Sequence, residues 1–172
     1  MEPFEQTLAR HPFLSGLDRR FLPQLGRLAS HKKFEGQQMI FHEGRPANEL
    51  YLICQGKIGI ETALLGMGEL VVQTLGAGDV VGWSWLLPPY EYHYSARALE
   101  PTEVIAMDGK ALRGQCESDH DLGYELMKRF ALVIVQRLAA TRAQFLHFPD
   151  PSIAHEPTKP WALRMVEDQA AG

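Results

Sequence analysis

The sequence predicts a mainly β domain flanked by helices, and three observations carry that prediction. Between about residues 33 and 107, Gly36, Gly44, Gly56, Gly66, Gly68, Gly76, Gly78 and Gly82 separate short runs rich in Val, Ile, Leu, Phe and Tyr. Ahead of this stretch, apolar residues recur at helical intervals. Behind it, Tyr124 to Phe148 contains neither glycine nor proline.

In residues 4 to 30 the apolar positions are Leu8, Phe13-Leu14, Leu17, Phe21-Leu22, Leu25 and Leu28, broken by Pro12, Gly16 and Pro23. Short helices capping a larger body fit this spacing. The strands come next. Gln38 to Phe41, Leu50 to Ile53, Leu70 to Leu75 and Glu103 to Met107 are β-prone runs, and Lys57-Ile58-Gly59-Ile60-Glu61 alternates cleanly between apolar and polar faces. Short strands with turn signals at such intervals predict a barrel or sandwich. Asn48-Glu49 and Gln55-Gly56 supply turn chemistry between paired strands.

After Asp108-Gly109 the period becomes helical again. Lys110 to Glu117 reads as a short helix, and Asp119 or Asp121 is placed to cap the next one, over about 120–148. In that long helix Tyr124, Met127, Ala131, Ile134, Leu138, Thr141 and Phe145 recur at alternating intervals of three and four, the spacing of a helix-pair seam. Leu122, Leu126, Phe130 and Val133 form a second stripe. Two stripes call for two partners: one covers the β body, and the other meets a second copy of the same helix. A helix of about 26 residues runs roughly 39 Å, long for one small body to cover alone. The alternative is one broad face buried within a monomer. Residues 149–172 carry four prolines, Pro149, Pro151, Pro157 and Pro160, in a polar stretch, and are expected to form a mobile tail to the domain at 1–148.

Composition narrows the function classes. The formal net charge is -4, so there is no bulk basic field of the kind that sequence-independent nucleic-acid binding needs. No apolar run reaches the roughly 20 residues of a membrane helix, and the N-terminus has no basic-then-apolar export pattern. A cytoplasmic protein is expected. Cys54 and Cys116 are expected to be buried free thiols, since no CxxC or Cys/His cluster accompanies them.

The order of these elements, with the segments Phe34 to Gly44, Leu50 to Ile58, Leu75-Gly76-Ala77-Gly78-Asp79-Val80-Val81-Gly82 and Arg97-Ala98, resembles the cyclic-nucleotide-binding domain of the CRP–FNR regulators. The resemblance covers about residues 10 to 147. It implies a double-stranded β-helix, a jelly-roll-like β-roll, with N-terminal helices, a short cassette helix and a long C-terminal dimerisation helix. It also implies a stand-alone sensor domain, because the 24 or so residues after the long helix leave no room for a winged helix-turn-helix; direct DNA binding is not expected.

In that family a phosphate-binding cassette follows the last roll glycines. The resemblance implies that its glutamate holds the ribose, its arginine neutralises the cyclic phosphate, and its short helix offers backbone N–H groups. Here the run is Gly82-Trp83-Ser84-Trp85-Leu86-Leu87-Pro88-Pro89-Tyr90-Glu91-Tyr92-His93-Tyr94-Ser95-Ala96-Arg97-Ala98. Gly82, Leu86 and Leu87 fit the pattern. Trp83 stands at the glutamate position, and the arginine position falls on Tyr92 or His93. Burying a phosphate without a cationic partner costs several kcal/mol, so cAMP is not expected to bind in the ordinary way.

The aromatic side chains either plug an obsolete pocket or line a remodelled one for a flatter, less charged ligand. The candidate ligand-binding residues are Gly82, Trp83, Ser84, Trp85, Tyr92, His93, Thr141 and Arg142. Ser84 and its neighbouring N–H groups are placed to meet an anion. Thr141 and Arg142 match the pair that, in relatives, contacts the base, one of them from the partner subunit; Arg142 either supplies the missing cation or is a solvated flank. The candidate dimer interface is Met127, Ala131, Ile134, Leu138, Thr141 and Phe145. No metal is expected: His93 has no second ligand at a suitable spacing, and the His-x-His of metal-binding cupins is absent. No nucleophile elbow, P-loop or dinucleotide fingerprint occurs, so an enzyme is not expected. The function expected is a dimeric regulatory sensor with a possible nucleotide-like or other small ligand and a protein partner. A ligand-free scaffold and a cupin-like metalloenzyme are the alternatives.

Overall fold

The structure is a computed structural model that describes residues 4–64 and 68–146. Residues up to Arg129 form one compact unit, and Phe130 onward belongs to a second. In the first unit, α1 (Phe4–Arg10) and α2 (Leu22–Arg27) are joined through 3-10 turns at Pro12–Leu14 and Arg19–Phe21. Pro12 and Gly16 interrupt the helical pattern as expected. Pro23 does not break α2 but opens it, in the first turn where its missing N–H costs nothing. Leu8, Phe21 and Leu25 are buried under this cap.

Among the described residues eight strands follow: β1 (Ala29–Phe34), β2 (Met39–Phe41), β3 (Glu49–Gln55), β4 (Ile58–Leu64), β5 (Gly68–Leu75), β6 (Val80–Val81), β7 (Ser95–Ala98) and β8 (Thr102–Asp108). They form two antiparallel four-stranded sheets, in the orders β1-β8-β3-β6 and β2-β7-β4-β5. This is the predicted β-roll. The β region starts earlier than 33, at Ala29, because β1 is a polar edge strand zipped to β8 from Ala29↔Met107 to Phe34↔Thr102. Leu50, Leu52, Ile53, Ile58, Val104 and Ile105 make the core.

The clean alternation in β4 holds, with one addition. Ile58 and Ile60 are buried on the apolar side, and Glu61 on the polar side is buried as well. Cys54 corrects an expectation. It is exposed at the end of β3, where the buried run Leu50 to Ile53 stops, and Cys116 is half-buried.

Asp108 caps α3 (Gly109–Ser118), accepting from Ala111 N–H at 2.8 Å. Asp119, rather than Asp121, caps α4 (His120–Leu146), accepting from Leu122 N–H at 3.2 Å. Asp121 pairs instead with Arg20 at 2.7 Å. In α4, Leu122 and Leu126 of the second stripe are buried, whereas Met127 and Leu138 of the proposed seam are 46% and 69% exposed. Ala131 and Thr141 are exposed too, and Ile134 is half-buried. The side chain of Phe145 and the tail at 149–172 lie outside the described residues.

Candidate functional site

The cassette spans the connection from β6 to β7. Gly82 starts it in a left-handed conformation, φ 86°, and a Cβ there would stand 2.9 Å from the Glu49 carbonyl oxygen. Only glycine fits without a shift. The expected short helix is a single 3-10 turn, Trp83–Leu86.

Its side chains divide into two groups. Trp85 is fully buried and packs on the start of α3, where a Cβ on Gly109 would come within 2.6 Å of the Trp85 Cβ. Tyr92 is also in the core. Its ring stacks on Phe41 at 3.7 Å and 11°, and its hydroxyl donates to the Glu49 carbonyl at 2.8 Å. Burial pushes the Tyr92 phenol up to about 12. These two rings brace the cassette from behind.

The other group faces outward. Ser84 is buried, but its hydroxyl meets Nδ1 of exposed His93 at 3.2 Å. Trp83 is part-exposed, and its ring lies near-parallel to His93, 27° between planes with centroids 6.2 Å apart. Tyr94 stands at 6.5 Å, tilted 58° to Trp83. The Trp83 indole N–H is buried and has no hydrogen-bond acceptor among the described residues. Of the two candidates for the arginine position, Tyr92 is a core residue, and His93 shares a surface with Trp83 and Ser84.

Lysine and arginine are represented in the cassette by one residue. Gly82 to Ala98 contains no lysine and a single arginine, Arg97. Its Nε and Nη2 donate to the two Glu61 carboxylate oxygens at 2.8 and 3.2 Å. Nη2 also donates to Glu69 at 2.9 Å, and Nη1 to the Gln37 carbonyl at 3.1 Å. Arg97 is therefore held by β4 and β5, with the Glu61 side chain only 6% exposed.

Sequence reasoning missed Arg113. From α3 it donates to the Trp85 carbonyl at 2.6 Å and stacks over the Tyr90 ring at 3.9 Å. It clamps the cassette to the helix that leads into α4. No sequence signal marks this contact, which spans 28 residues of chain. Thr141 and Arg142 are exposed on the distal part of α4, in the second unit, and Thr141 Oγ donates to the Arg137 carbonyl at 2.9 Å. Among the described residues no group of three His, Cys, Asp or Glu could hold a metal ion, and no helix is long and apolar enough to cross a membrane.

Two four-stranded sheets joined by a glycine-led cassette and followed by a long helix are what the family comparison then identifies. The model of the cyclic nucleotide-binding domain matches residues 31–119. The chain belongs to this family.

Among curated proteins, this cyclic nucleotide-binding domain is 24% identical over 137 residues to the CRP-like cAMP-activated global transcriptional regulator of Mycobacterium tuberculosis, covering 80% of this chain and 59% of the relative. The chain thus spans less than two thirds of that regulator's length. A crystal structure of a candidate cyclic nucleotide-binding protein from Geobacter metallireducens superposes with a TM-score of 0.71 at 28% identity, covering 80% of this chain and 98% of the other. The regulatory subunit of a cAMP-independent protein kinase A from Trypanosoma brucei superposes at 0.63 and 25% identity, over 76% of this chain and 46% of that one. These relatives are regulators and binding domains by name. The domain is a regulatory one of the CRP–FNR type.

Proposed function

We propose that this domain is the sensor module of a dimeric regulator whose cassette holds its ligand without the usual charge partners. One observation carries the reading. The cassette presents Trp83 where the family pattern has a carboxylate and Tyr92 or His93 where it has a guanidinium, and Arg97 is bound to Glu61 and Glu69. The Trypanosoma brucei neighbour supports it: that subunit is cAMP-independent, and a triple mutant of it in which one threonine becomes arginine is bound to cAMP in its A site.

In this reading the signal travels by population shift. A ligand on the outward face moves the Trp83–Leu86 turn, and Arg113 and Gly109 pass that movement to α3 and so to α4. The seam of exposed Met127, Ala131 and Leu138 with half-buried Ile134 meets a second copy, and the changed helix pair acts on a protein partner in the cytoplasm. Thr141 and Arg142 of the partner helix are available to close the ligand site.

A second reading has an observation in its favour. Trp85 and Tyr92 fill the space behind the cassette, as rings plugging an obsolete pocket in a ligand-free scaffold would. Native mass spectrometry of the purified protein separates the two. The sensor reading expects a dimer carrying a small molecule or accepting one on addition. A dimer that stays empty supports the scaffold, and a monomer overturns both.

A further inference from the structure

Helix α4 carries an apolar face that neither the proposed seam nor the buried stripe accounts for. Leu132, Val135, Ala139 and Ala143 recur at steps of three and four, so they share one side of the helix. That side lies about a third of a turn round from the seam of Met127 to Leu138. Leu132 is 58% exposed, Ala139 and Ala143 are exposed, and Val135 is half-buried. From Phe130 to Leu146, in the second unit, the charged residues are Arg137 and Arg142 alone. A helix apolar on this many sides calls for a cover on each.

The chain itself supplies a segment of matching chemistry, Trp161-Ala162-Leu163-Arg164-Met165-Val166. Thr158 is a helix-capping residue type, and Pro160 falls in the first turn, where a missing N–H costs nothing; the sequence predicts a short helix from there. At helical spacing Trp161, Ala162, Met165 and Val166 share one side, and Arg164, Glu167 and Asp168 take the other. Trp161 and Met165 are large, whereas the α4 face narrows to alanine at 139 and 143, and large against small is how facing helices interdigitate. The charges match as well: Glu167 and Asp168 follow the apolar run, and the distal half of α4 is positive. Residues 147–160 span roughly 43 Å when extended, against roughly 24 Å for the helix from Phe130 to Leu146. The segment therefore reaches every part of that face, and a tether of this kind holds it at about millimolar effective concentration.

We propose that residues 161–166 fold back and pack on the face of Leu132, Val135 and Ala139 of α4 in the same chain, in place of the wholly mobile tail expected from the prolines. The docked segment leaves the seam on the other side of α4 open to a second copy. The proposal goes beyond the sensor reading and does not rest on it.

NMR of the full chain tests it. Backbone order parameters of residues 161–166 should stand above about 0.6 in the wild type, with NOEs from the Trp161 ring to the Leu132 methyl groups. Leu132→Lys should drop those order parameters below about 0.6. Leu132→Met, which keeps the apolar surface, should preserve them. Leu132 is exposed, so neither substitution disturbs the core. Flexible residues 161–166 in the wild type overturn the proposal. So does order that comes without the NOEs, survives Leu132→Lys, or is lost equally in both variants. A lower mass by sedimentation for Leu132→Lys than for the wild type gives the face to a second copy and overturns it too. None of these results bears on the sensor reading, which the native mass spectrum tests separately.

Discussion

Replacing Arg97 by alanine tests whether this guanidinium is structural. The side chain holds Glu61 through two hydrogen bonds at 2.8 and 3.2 Å, and the Glu61 carboxylate is 6% exposed. Removing one partner of a buried pair costs about 3–5 kcal/mol, because it leaves a desolvated charge. Arg97 is itself 26% exposed, so water can reach the vacated space and the lower end, about 3 kcal/mol, is expected. The contact with the more exposed Glu69 adds at most about 1 kcal/mol. In a unit of this size that corresponds to a fall in Tm of roughly 10 °C. Thermal and urea unfolding followed by circular dichroism measure it. Adding Glu61→Gln to Arg97→Ala removes the stranded charge and should recover at least about 1 kcal/mol. A loss below about 1 kcal/mol for Arg97→Ala, with no recovery in the double variant, would refute the reasoning and free Arg97 for work on an anion.

Three other outcomes are expected. Gly109→Ala puts a Cβ 2.6 Å from the Trp85 Cβ, so overpacking should cost about 1–3 kcal/mol in urea unfolding; an unchanged midpoint would contradict the tight seat of the cassette on α3. His11 is buried, its Nε2 donating to the Ile53 carbonyl at 3.1 Å and its Nδ1 accepting from Phe13 N–H, and burial holds its pKa below the ordinary 6.5. The unfolded chain therefore binds the proton first. This contribution to stability is complete above about pH 6.5 and falls as pH drops towards the lower folded-state pKa, by at most ~1.4 kcal/mol per pH unit, and the wild-type curve should lose more than that of His11→Asn; parallel curves would argue against it. Leu138→Glu places a charge on the exposed α4 seam and should convert a dimer to monomer by sedimentation without lowering Tm of the first unit, whereas an intact dimer would move the interface elsewhere.

Much of the fold was legible because the determinants are local. The Ile58/Ile60 alternation, the capping Asp119 and the glycine turns each act within a few residues. The polar strand β1 was not, since Ser30-His31-Lys32-Lys33 has no apolar period and is a strand only because β8 offers it a ladder. The site was half legible. That Trp83 displaces a carboxylate can be read from the run itself. Whether Tyr92 or His93 faces outward depends on strand registry, and the capture of Arg97 by Glu61 depends on β7 pairing with β4, Gly59↔Arg97 and Glu61↔Ser95. The Arg113 clamp joins helix to cassette through tertiary packing alone.

The sensor reading depends on a cassette whose one arginine, Arg97, is held by Glu61 and Glu69. Calorimetric titration of cAMP into the wild type and into Trp83→Glu/His93→Arg asks the question directly. The wild type should show no saturable heat in the micromolar range. The double variant, which restores charge-assisted hydrogen bonds worth about 1.5–3 kcal/mol each, should gain at least about a hundredfold in affinity. One-to-one micromolar uptake of cAMP by the unaltered protein would contradict the account.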